Sequence, residues 1–144
     1  MTEMENVNIP DIAGIKVLVV DDVSLNRIYI SKVLRNQNLN VITASNGQEA
    51  LDIVDKEKPS LVLLDLMLSV IDGYEVIRRL RSDPDLFRIR IIVVSALSTN
   101  DCIVRALNMG ADDFVVKPIA TDKFLKSVLG QIEMIRAMEA DAKG

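Results

Sequence analysis

Asp21, Asp22, Asp65, Ser95 and Lys117 are the residues whose types and positions could do chemistry together. Each stands at or just past the end of a short apolar run. Residues 17–20 (VLVV) lead into Asp21 and Asp22, and 61–64 (LVLL) into Asp65. Residues 91–94 (IIVV) lead into Ser95, and 114–116 (FVV) into Lys117 and Pro118. Carboxylates brought together repel one another by about 4 kcal/mol per pair at 4 Å and an effective dielectric near 20. Such a cluster needs a cation or a proton. Oxygen-only ligands select a hard divalent ion, and Mg²⁺ commonly takes one or two carboxylates with waters and a phosphate. Lys117 adds a point charge able to reach a carboxylate or phosphoryl oxygen. Ser95 adds a hydroxyl that can turn toward one. Together these are the parts of a phosphoryl-transfer centre, with a carboxylate as the nucleophile.

Taken singly, each residue has a structural use. An Asp after a strand can cap a helix, and Asp72-Gly73 is an ordinary turn dipeptide. Their joint occurrence at the ends of the apolar runs is what points to a site.

The elements that must position these groups follow from periodicity. Unbroken runs of Val, Ile and Leu fit strands of a parallel sheet covered on both faces. A shorter, less apolar run at 41–44 makes a fifth strand. Helical spacing links Ile30, Val33 and Leu34, then Ala50, Leu51 and Val54, then Val76, Ile77 and Leu80. It recurs in Ile103, Ala106 and Leu107, and in Phe124, Leu125, Val128, Leu129, Ile132 and Ile135. Pro59, Asp83-Pro84 and Gly110 end the second, third and fourth helices. Five alternations with short loops predict an α/β fold of the flavodoxin-like, doubly wound (βα)5 type with right-handed crossovers. The second strand ends without an ionisable group, which suits an edge and the order 2-1-3-4-5. Ligands of such sheets bind beyond the carboxyl ends of the strands, where the five residues would meet.

Bulk properties narrow the functional classes. Hydrophobic content of 49% with 26% charged residues is that of a soluble globular domain. A net charge of -4 and no basic run argue against a nucleic-acid or anionic-membrane surface. No apolar stretch reaches the roughly 20 residues that span a bilayer. Cys102 is the single cysteine, so no internal disulfide forms, and a cytoplasmic location is expected. The chain holds no histidine, which excludes histidine-based metal sites and triads. Residues 1–14 read as a flexible arm, 15–130 as the domain, and 131–144 as a helical extension or linker.

From about residue 15 to 129 the chain resembles a receiver domain of the two-component response-regulator family. The resemblance rests on Val19-Val20-Asp21-Asp22, Leu63-Leu64-Asp65-Leu66-Met67, Ile71-Asp72-Gly73, Ser95-Ala96, and the stretch from Gly110 to Lys117-Pro118. It implies that Asp65 is phosphorylated from a phosphohistidine on a sensor histidine kinase or histidine phosphotransfer protein. It implies Mg²⁺ held by Asp21, Asp22, Asp65 and the backbone carbonyl of Met67, with Asp21 acting through water. It further implies that Lys117 bridges to the acyl phosphate, that the bond to Pro118 is cis, and that Ser95 and Phe114 form a switch. In that switch Ser95 moves inward and vacates space for Phe114. The output face would be built from the fourth helix, fifth strand and fifth helix, acting on a downstream protein or output domain. Ser69, Ile119 and Ala120 depart from the common family pattern without touching the chemistry. Met67 and Leu97, each two residues beyond a site residue, would flank the path of hydrolytic water and lengthen the acyl-phosphate lifetime.

Leu125, Val128, Ile132 and Ile135 also form a heptad-like seam. Three uses stay open for this end of the chain: a frayed surface helix, a homodimer seam, or a linker to an output domain. Two other functional classes share the fold. An aspartate-nucleophile phosphatase would want a second Asp where Met67 stands. A flavin carrier would want a phosphate-binding loop where Asp21 and Asp22 repel phosphate.

Overall fold

The computed structural model describes residue 12 and residues 14–143; most of the expected arm (1–11 and 13) lies outside the described residues. Five strands alternate with five helices in chain order: β1 (Lys16–Val20), α1 (Ser24–Arg35), β2 (Asn40–Ala44), α2 (Gly47–Glu57), β3 (Leu61–Leu64), α3 (Gly73–Ser82), β4 (Arg90–Ser95), α4 (Asn100–Met109), β5 (Asp113–Val116) and α5 (Thr121–Lys143). All pairings are parallel and the strand order is β2-β1-β3-β4-β5.

Alternation along β1 explains the layers. Leu18 and Val20 point into a core shared with α2, α3 and α4, whereas Val17 and Val19 point into one shared with α1 and α5. Every residue of β3 is buried, as a central strand covered on both faces requires. Three helices begin on side-chain caps. The Asn46 side chain accepts from Glu49 N–H at 2.8 Å, Asp72 from Glu75 N–H at 2.9 Å, and Thr99 from Cys102 N–H at 3.3 Å.

One expectation needs correction. Of the apolar face expected on α4, only Ala106 is buried among the described residues, and Leu107 is 42% exposed. This helix packs on α3 and on the edge strand β5, so little sheet lies beneath it. Its C-terminal end is clasped instead by Arg81, which donates to the Gly110 carbonyl at 2.9 Å and to the Asp112 carboxylate at 2.9 Å. On α5, Val128, Ile132 and Ile135 are buried in the domain's own core beside Phe124, so these three residues of the seam serve the sheet. The helix runs on through Gly130, whose Cα faces open space.

Candidate phosphoacceptor and metal site

The backbone ladder continues one residue past several strands, and this sets the site. Asp21 N–H donates to Ala44 at 3.2 Å, Asp65 N–H to Val20 at 3.0 Å, and Lys117 N–H to Ser95 at 3.0 Å. These bonds fix the first residues beyond β1, β3 and β5 along one rim, with Ser95 closing β4 between them. Gly73 lets α3 start hard against that rim, since a Cβ there would lie 2.4 Å from the Asp65 carbonyl oxygen.

Lys117 joins the acids. Its Nζ lies 2.6 Å from Asp21 Oδ2 and 2.8 Å from Asp65 Oδ2. Burial disfavours the ammonium charge, but the hydrogen bonds to Asp21 and Asp65 outweigh it, and the pKa sits above the ordinary 10.5. Asp65 Oδ1 accepts from the Ser95 hydroxyl at 2.9 Å and from Met67 N–H at 3.0 Å. Asp21 Oδ1 accepts from Val23 N–H at 2.9 Å. Asp21, Asp65 and Ser95 are buried, while Asp22 is exposed.

One carboxylate oxygen from each of Asp21, Asp22 and Asp65 lies within 4.8 Å of the others. That all-oxygen donor set, open on the Asp22 side, fits a hard divalent cation such as Mg²⁺. The Met67 backbone stands at the same carboxylate through its N–H. The Met67 side chain is 55% exposed and Leu97 is half-buried. The Lys117–Pro118 peptide bond is cis. No acid occupies position 67, as an aspartate-nucleophile phosphatase would want.

Ser95 lies inside the rim at the end of β4. It is wholly buried, with its hydroxyl on Asp65 and accepting from Leu97 N–H at 3.3 Å. Phe114 is half-buried against the α2–α4 side of the core. The buried hydroxyl finds its acceptor on Asp65.

Two site neighbours were not singled out from sequence. Arg27 donates to the Asp21 carbonyl at 2.6 Å, and the Asn26 amide lies 3.5 Å from Asp21 Oδ1. The available signal was their place on the first turn of a helix beginning just after the acidic pair.

Residues 17–129 match the model of the response regulator receiver domain. The probable transcriptional regulator ycf27 of Porphyra purpurea is 42% identical over 123 residues, 83% of this chain and 49% of that protein. Sporulation initiation phosphotransferase F of Bacillus subtilis (strain 168) is 35% identical over 113 residues, 78% of this chain and 90% of that protein. The signal receiver domain of the DNA-binding response regulator protein merR from Colwellia psychrerythraea 34H aligns with a TM-score of 0.78 at 26% identity, covering 83% of this chain and 98% of that one. The chain spans about half the length of the ycf27 relatives.

Proposed function

Since the chain belongs to the response regulator receiver domain family, we propose that it is a phosphoryl-accepting switch of a two-component pathway, with Asp65 as the acceptor. The observation that carries this reading is the buried Asp65 carboxylate, held between Lys117 and Ser95 and within 4.8 Å of Asp21 and Asp22. An Asp65 oxygen attacks the phosphorus of a phosphohistidine on a sensor kinase or phosphotransfer protein. The P–O bond forms as the P–N bond breaks, and the imidazole leaves with the electron pair and takes up a proton. This chain has no histidine, so the donor imidazole lies outside this sequence.

Asp21, Asp22, Asp65 and the Met67 carbonyl would hold Mg²⁺, which when bound supplies positive charge to the phosphoryl oxygens. Lys117 follows the new phosphoryl oxygens from its place on Asp65. Ser95 transfers its hydroxyl donation from Asp65 to the phosphoryl group, which carries more charge. Met67 and Leu97 shield the acyl phosphate from water and slow its hydrolysis. The chain is thereby a switch and not a turnover enzyme, and it works in the cytoplasm. Among the described residues no helix is long and apolar enough to cross a membrane.

The output would leave through α4, β5 and α5. Val104, Leu107 and Val116 are exposed there, and α4 has little buried surface to resist reorientation. Reversing a 1:99 population needs about 5.5 kcal/mol, which bonds to Ser95 and Lys117 can largely supply. Phe114, between β4 and α4, would report the change. On the other flank, Leu25, Ile28 and Tyr29 of α1 are exposed, and they would receive the donor protein. The ycf27 relatives are named as transcriptional regulators, which supports a receiver that controls a downstream protein or output domain.

The test is incubation with acetyl phosphate and Mg²⁺, read by intact mass. One added phosphoryl group is expected, absent in Asp65→Asn. Phosphorylation of Asp65→Asn, or none of the wild type, would overturn the proposal.

A further inference from the structure

Among the described residues, three other than glycine have positive φ: Asn38, Lys58 and Val70. Lys58 is the C-cap of α2, and Asn38 follows the end of α1, so helix termination explains both. Val70 has no such reason. It sits at φ +70° in the β3–α3 loop, and it is β-branched, the class of side chain that tolerates this region worst. The Ile71 N–H donates to the Ser69 carbonyl at 2.8 Å, closing a γ-turn about Val70. The positive-φ form of that turn is rare and strained.

The surroundings force this conformation. Gly47 N–H at the start of α2 also donates to the Ser69 carbonyl, at 3.4 Å. A Cβ on Gly47 would stand 2.0 Å from the Ile71 carbonyl oxygen, so α2 presses directly on the loop. Gly73 N–H holds the other end through the Leu66 carbonyl at 3.0 Å. Neighbouring backbone therefore dictates the shape, and glycine would adopt it without strain. The valine side chain returns nothing to the fold, being 78% exposed. Its use must lie outside the chain.

The loop's position indicates what that use is. It leaves directly from Asp65, which is 6% exposed, and it also carries Met67, which is 55% exposed. A small donor can enter such a site alone. A histidine side chain of a protein can reach Asp65 only if its own protein lies across the loops around the carboxylate.

We infer that Val70, together with Met67, is a contact for the phosphohistidine-bearing protein, selecting donors that carry an apolar patch beside the histidine. This rests on Asp65 being the phosphoacceptor. Val70 touches no reacting atom, so it is a specificity-determining and positioning residue. Its exposed side chain shares the β3–α3 loop with that of Met67.

The experiment compares two phosphoryl sources for the wild type, Val70→Gly and Val70→Ile. One is acetyl phosphate. The other is the set of autophosphorylated sensor kinases of the source organism. With acetyl phosphate, Val70→Gly is expected to match the wild type within twofold. From the kinase that phosphorylates the wild type fastest, transfer to Val70→Gly is expected to fall tenfold or more, mainly as a raised KM. Val70→Ile should recover most of that loss. Equal losses with both sources would make Val70 a structural residue and overturn the inference, as would an unchanged rate from the kinase. Failure of the wild type with acetyl phosphate would instead strike at Asp65 and bring both proposals down.

Discussion

Replacing Lys117 with Met keeps the length of the side chain and removes its charge, isolating the electrostatic role of the amine. Two buried carboxylates, with side chains 2% and 8% exposed, then lose their ion pair. With ligand oxygens at the 4.8 Å limit and an effective dielectric near 20, each pair of acids repels by about 3–4 kcal/mol. Urea unfolding in EDTA should therefore show Lys117→Met destabilised by about 3–4 kcal/mol at pH 7. The Lys117 pKa is raised, so its stabilisation is complete below about 10.5 and is lost only as pH climbs through the higher folded value. Saturating Mg²⁺ should return about 2.7 kcal/mol to the variant at one hundred times its Kd. A variant as stable as wild type at pH 7 in EDTA would refute the reasoning.

Further outcomes follow from the same geometry. Val70→Gly should raise stability by about 0.5–2 kcal/mol, the relief of about 1–3 kcal/mol of strain less the backbone entropy of glycine; thermal unfolding reads the sign directly. Gly130→Ala, on an exposed helical face with open space at the Cβ, should stabilise by about 0.5–1 kcal/mol in denaturant titration. Ile132→Ala should cost about 2–5 kcal/mol in urea unfolding, because this side chain is in the core; a neutral result would contradict that packing. Leu97→Glu or Met67→Asn should shorten the acyl-phosphate half-life measured after removal of acetyl phosphate, and no change in either would remove their shielding role.

The sequence announced its strand ends clearly. A charged residue after an unbroken run of three or four apolar residues marks where a buried strand meets solvent, so Asp21, Asp65 and Lys117 could be placed on one rim before any coordinates. The strand order followed from the second strand lacking such a terminus. Other features were illegible for physical reasons. Helical periodicity shows that Leu107 and Ile132 lie on apolar faces, but not how much sheet lies beneath each face. That is why α4 proved exposed and α5 buried. Asn26 and Arg27 look like solvated helix positions until the helix start is known to face the acids. Asp72 reads as a turn residue, although it caps α3. Val70 is an unremarkable aliphatic in the sequence, since its backbone sign is imposed by Gly47 and Gly73 and not by its own preference. The Ser95 rotamer depends on hydrogen bonds with Asp65 and the Leu97 N–H that no spacing rule can show.

The most direct test of Asp65 as the phosphoryl acceptor is to phosphorylate the chain with acetyl phosphate and Mg²⁺, reduce the acyl phosphate with borohydride, and map the modified residue by peptide mass spectrometry. Reduction of residue 65 alone, to homoserine, is the predicted result. Modification at Asp21 or Asp22 with residue 65 untouched would contradict the account.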